Sequence, residues 1–259
     1  SLSMLWLLRM VPAPLARFWA RLEVLQRKEL VLLCDRRYRP AEMEGALGIN
    51  VSDAEAELRG GITNEAASVI RGTTTAAIEF SGAILTGGIT NSGLIEGTGN
   101  ANGINLLAGT ITGGITNDAT GVIEVLGTSV TAVLIDGATF NGNITNDGQI
   151  LADATSALAV VITGTTVFTG NVANSATGTI SADSTALLIN NVTFTGDVSN
   201  SGRIVSATTD GVNISATTFT GNFTNAAGGI VTGGNDGVFL DGTTFTGNIL
   251  NDGDITALS

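Results

Sequence analysis

The side chains able to do chemistry are few and unevenly placed. Histidine is absent, and the single cysteine, Cys34, lies near the N-terminus of the 259-residue chain. That excludes the usual zinc sites and any Ser or Cys nucleophile activated by imidazole. Three patterns remain. Threonines stand two apart at Thr193 and Thr195, Thr218 and Thr220, and Thr244 and Thr246, with Thr110 and Thr112 repeating the arrangement earlier. Asp-Gly pairs begin at Asp136, Asp147, Asp210, Asp236, Asp241 and Asp252. Asparagine recurs at Asn64, Asn91, Asn117, Asn146, Asn174, Asn200, Asn225 and Asn251.

Each pattern has a chemical and a structural reading. The asparagines could be a row of ligand-binding amides, or a hydrogen-bonded amide ladder of stacked strands. Their presence in every unit, whatever else the unit contains, favours the ladder. The Asp-Gly pairs suit turns. A calcium-binding roll would need a G-G-x-G-x-D nonapeptide, which GGND at 233–236 matches only in part. A carbohydrate-cleaving enzyme would need clustered acids with basic and aromatic partners. Acids here seldom recur at equivalent places in adjacent units, and no Trp or Tyr follows Tyr38. The expectation is therefore no catalytic residue, no metal ligand and no cofactor. A flat T-x-T array resembles the device of β-helical ice-binding proteins. Ile84, Asn141 and Val167 interrupt it, and Thr is also a common solvated strand residue.

The elements that position these residues repeat. Aligning on G-x-[IVF]-x-N gives starts at Gly60, Gly87, Gly113, Gly142, Gly170, Gly196, Gly221 and Gly247, 25 to 29 residues apart. Within TFTGNFTN (218–225) and its relatives, alternation with a period of two sets two apolar columns. One holds Phe140, Phe168, Phe194, Phe219 and Phe245, with Leu58, Leu85 and Ile111 before them. The other holds Ile62, Ile89, Ile115, Ile144, Val172, Val198, Phe223 and Ile249. A second segment follows a turn such as NSGLI (91–95) or the longer NDATGVI (117–123), and a third carries paired apolar residues such as Leu187 and Ile189. Three short strands per coil of about 26 residues predict an all-β, right-handed parallel β-helix of about seven complete coils over residues 45–259. A propeller or a leucine-rich repeat has the wrong period or the wrong residues.

Charge divides the chain. Residues 1–44 carry eight basic and five acidic residues, a net of +3, and the remainder three basic and eighteen acidic, a net of −15. A body with only Arg59, Arg71 and Arg203 offers no footprint for nucleic acid. The apolar runs near the start are too short to span a bilayer, so no transmembrane segment is expected.

G-x-I-T-N, N-S-G-x-I and T-F-T-G-N resemble the passenger-domain repeats of bacterial autotransporters and related surface adhesins, over about residues 46–259. The resemblance implies export, an outer-membrane β-barrel in a missing C-terminal part, and folding outside the cell into a right-handed β-helix. The chain would be an extracellular, non-enzymatic stalk serving adhesion to an unknown surface receptor or self-association. It lacks the barrel and breaks off within a unit begun at Gly247, as a truncated fragment would.

Residues 1–44 stand apart. Leu15, Phe18, Trp19, Leu22 and Leu25 have helical spacing, among Arg17, Arg21, Arg27 and Lys28. Three readings are open: a helical cap over the first coil, an amphipathic surface helix, or a misread segment foreign to the fold. Repeat-like sequence resumes at GALGINVS (45–52), where Ile49 and Val51 match the third strand.

Overall fold

A computed structural model describes residues 49–51, 57–58, 60–81, 84–164, 166–242 and 244–258, the first two stretches by their backbone alone. The cap or misread segment expected over residues 1–44 lies outside the described residues. Among these there is no helix. They form four sheets of eight parallel strands each, a β-solenoid in which each strand pairs with its equivalents one coil before and after. We name the sheets A to D in chain order, from their first strands Ile49–Val51, Glu57–Leu58, Ile62–Asn64 and Val69–Gly72. One later rung reads Leu187–Asn190, Thr193–Thr195, Val198–Asn200 and Arg203–Ser206.

Four strands per coil correct the three expected from the sequence. The stretch read as one strand is two: Thr218–Thr220 belongs to sheet B and Phe223–Asn225 to sheet C. Alternation runs on through the bend, since Phe219, Phe223 and Asn225 are all buried, so pattern alone could not show it. The bend lies at Gly221, whose φ of 149° is closed to most side chains. A Cβ there would sit 1.8 Å from the carbonyl oxygen of Gly196 in the rung below.

The expected columns fall into register. Leu58, Leu85, Ile111, Phe140, Phe168, Phe194, Phe219 and Phe245 pair in succession along sheet B. Ile49 and Val51 pair with Ile78 and Phe80 of sheet A. On sheet D, Ile70, Ile95, Ile123, Ile150, Ile180, Ile204 and Val231 form a further buried column. One coil has only one layer of apolar side chains and cannot enclose it; the neighbouring coils do. The last rung measures their effect: Ile249 is 51% exposed, while its partner Phe223 is 0% exposed. Burying a side chain of this size stabilises the fold by about 1.5–3 kcal/mol.

Candidate functional site

Asn ends each sheet C strand at the corner leading to sheet D, and the eight asparagines form one chain of amides. The Nδ2 of Asn64 donates to Oδ1 of Asn91 at 2.7 Å, and the links from Asn91 through Asn117, Asn146, Asn174, Asn200 and Asn225 to Asn251 measure 2.8–2.9 Å. Each inner amide also donates to main-chain carbonyls of the next turn, as Asn146 does to Gly148 and Thr179. Asn64 through Asn225 are buried. Their donors and acceptors are engaged along the axis, and the aligned amide dipoles polarise one another. This arrangement leaves none of the seven buried amides facing outward for a ligand, and only Asn251, on the last rung, is exposed.

A second ladder, which the sequence reading did not single out, runs on the outside of the corner between sheets B and C. The main-chain N–H of Asn171 donates to Oδ1 of Asn143 at 2.8 Å, Asp197 N–H to Asn171, Asn222 N–H to Asp197, and Asn248 N–H to Asn222. These bonds are exposed. The recurring Asn or Asp after the corner glycine was the available signal.

Inside sheet B the phenylalanines stack. Centroids from Phe140 to Phe168, Phe194, Phe219 and Phe245 are 4.8, 4.7, 4.9 and 4.8 Å apart, with rings inclined by only 8°, 6°, 1° and 6°. On the opposite, outer face lie the threonines. Register places Thr139, Val167, Thr193, Thr218 and Thr244 in one column and Asn141, Thr169, Thr195, Thr220 and Thr246 in the other. Thr139 and Thr169 join the threonine face read from the sequence, leaving Val167 and Asn141 as the exceptions over these five rungs. Thr110 and Thr112 continue it one rung earlier, beside Ile84.

The acids are not wholly scattered. Arg71, Glu96 and Glu124 occupy successive positions on the outside of sheet D. Arg71 Nε pairs with Glu96 Oε2, and Glu96 is nearly buried. Burial raises the pKa of Glu124 above its ordinary value, reinforced by the charge of Glu96 and a hydrogen bond with it and opposed by Arg71. Turn insertions of different length hid this adjacency in the sequence. The column continues as Leu151, Ser181, Val205, Thr232 and Thr256, which carry no charge.

Among the described residues no three His, Cys, Asp or Glu side chains are grouped to hold a metal ion, and no helix is long and apolar enough to cross a membrane, which leaves β-barrels unaddressed. No protein-family model, curated protein or solved structure matches this chain.

Proposed function

We propose that the chain is a non-enzymatic, extracellular stalk or passenger segment of an autotransporter-like bacterial surface protein. Its work is mechanical: to hold an adhesive or self-associating surface away from the cell. The observation that carries this reading is the unbroken amide chain from Asn64 to Asn251, parallel to four continuous sheets. Every rung is tied to the next by main-chain and side-chain bonds, so bending the rod breaks several buried hydrogen bonds together. The repeats resemble passenger domains, and a body without cysteine suits a chain threaded unfolded through a pore, where a disulfide would obstruct passage.

The test is display. Residues 46–259 are fused between a secretion signal and an outer-membrane β-barrel and expressed in a Gram-negative host. The expected result is a protease-resistant fragment at the cell surface that makes cells adhere to host-cell monolayers or to one another. Retention in the periplasm, or surface display without either form of adhesion, would refute the corresponding part of the proposal.

A further inference from the structure

The outer face of sheet B is a two-dimensional lattice. The Phe rings beneath it stand 4.7–4.9 Å apart and are inclined by no more than 8° to one another, so the layer under this face repeats from rung to rung with little change of orientation. Parallel sheets ordinarily twist by about 20–25° per strand, more than these rings turn from one rung to the next. Along each strand the two outward positions are about 6.7 Å apart, twice the strand rise. The result is a flat grid of side chains about 4.8 by 6.7 Å, five rungs long and two columns wide.

The grid's chemistry is uniform. Eight of its ten positions are Thr, and none is charged, although residues 45–259 carry eighteen acids. Among the described residues, the hydroxyls of Thr193, Thr195, Thr218, Thr220, Thr244 and Thr246 bond to no other protein group. Each position therefore offers a free hydroxyl and a methyl group. β-Branched Thr has a restricted χ1, which keeps the array ordered before anything binds. Sheet C differs: its outer face has a single column, Thr63, Thr90, Thr116, Thr145, Ala173, Ser199, Thr224 and Leu250.

A repeating grid can use all its positions only on a partner that repeats in the same two directions. The absence of cations disfavours anionic polymers, and the lack of Trp or Tyr after Tyr38 removes the stacking platform a polysaccharide surface would use. Frozen water matches in both spacing and chemistry. Its oxygens repeat at distances close to both grid spacings, and each accepts and donates hydrogen bonds as a Thr hydroxyl does. We propose that the outer face of sheet B, from Thr139 to Thr246, binds the surface of ice. The proposal is independent of surface display, since a free chain would bind as well.

The experiment measures inhibition of ice recrystallisation by the full chain, wild type against two triple variants. Thr195→Tyr, Thr220→Tyr and Thr246→Tyr roughen sheet B; Thr90→Tyr, Thr116→Tyr and Thr145→Tyr make the same change on sheet C. An isosteric set, Thr195→Val, Thr220→Val and Thr246→Val, guards against misfolding, and circular dichroism checks every variant. The wild type and the sheet C variant are expected to inhibit at the same concentration, with the sheet B variant at least roughly tenfold weaker, as expected where many weak contacts act together. A folded wild type without inhibition would overturn the proposal. So would equal loss from both faces, or wild-type binding to crystalline cellulose or chitin that the sheet B set abolishes while ice growth is unaffected.

Discussion

The first three rungs and the last five solve the same geometric problem with different residues. Early rungs place Leu85 and Ile111 in the inner column of sheet B, with Leu58 in register before them, and turn toward sheet C through paired glycines, Gly60-Gly61, Gly87-Gly88 and Gly113-Gly114. Later rungs place Phe140 to Phe245 there and turn through Gly followed by Asn or Asp. The backbone differs accordingly. In early rungs the second glycine has φ of 71–76°, as in Gly61, Gly88 and Gly114; in later ones the first has φ of 144–152°, from Gly170 to Gly247. Gly60 and Gly113 have positive φ at the first position as well, so from Gly170 onward the corner keeps the positive φ at the first glycine and drops it at the second. That frees the second residue to carry a side chain, which caps the N–H of the rung above. The corner between sheets C and D makes no such choice, since Asn occupies it in all eight rungs. The difference separates a negotiable corner, where exposed groups could equally bond to water, from a fixed one, where no water can substitute.

The largest effect is expected at the fixed corner. Asn146→Ala removes the acceptor of Asn117 and the donor to Asn174, Gly148 and Thr179. With about two buried groups losing a partner, at 1–3 kcal/mol each, the loss should be about 2–6 kcal/mol in urea unfolding. A loss below 1 kcal/mol would mean that the two corners are alike. Next comes Gly114→Asn, which grafts a later corner onto an early rung. A Cβ there would lie 2.2 Å from the carbonyl oxygen of Asn143 at a φ of 76°, so about 2–4 kcal/mol should be lost. Unchanged stability would show the two corner types to be interchangeable.

Smaller changes probe the later rungs. Phe194→Leu converts one inner position to the early type and breaks two ring stacks, at an expected cost of about 1–2 kcal/mol. Asn222→Ala removes the exposed cap over Asn248, where water can replace the lost acceptor, and should cost less than about 1 kcal/mol. If Asn222→Ala matched Asn146→Ala, burial would not be what distinguishes the corners.

The fixed features were the ones legible in the sequence. Asn146 and Ile144 recur at a nearly constant interval because stacking demands the same residue type at the same place in each rung, so repetition itself revealed the columns and the parallel β-helix. The bend at Gly221 was hidden because burial alternates straight through it and a glycine does not declare its φ. The outer ladder was hidden because Asn143, Asp197 and a second glycine such as Gly114 look like unrelated residues until the backbone is known. Glu96 and Glu124, 28 residues apart, were obscured by turns of unequal length, NSG in one unit and NDATG in the next.

That acidic pair marks a third difference between the regions, and the smallest expected effect. Arg71, Glu96 and Glu124 belong to the first three rungs, and the same column is uncharged in the last five. Burial and the neighbouring Glu96 carboxylate hold the Glu124 pKa above its ordinary value of 4.5. The folded chain therefore keeps a proton that the unfolded chain has released, and stability falls as pH rises through the interval between 4.5 and the raised folded value. Above that interval the ionised side chain is a net cost, so Glu124→Gln should gain about 0.5 kcal/mol at pH 7, typical of a like-charge cross-strand pair relieved. The gain should shrink through the same interval and vanish below pH 4.5, where Glu is protonated in both states. Urea midpoints of wild type and variant across this range test it. A constant difference, or one that grows toward acid, would place the pH response elsewhere, whereas convergence in acid would confine it to the early rungs.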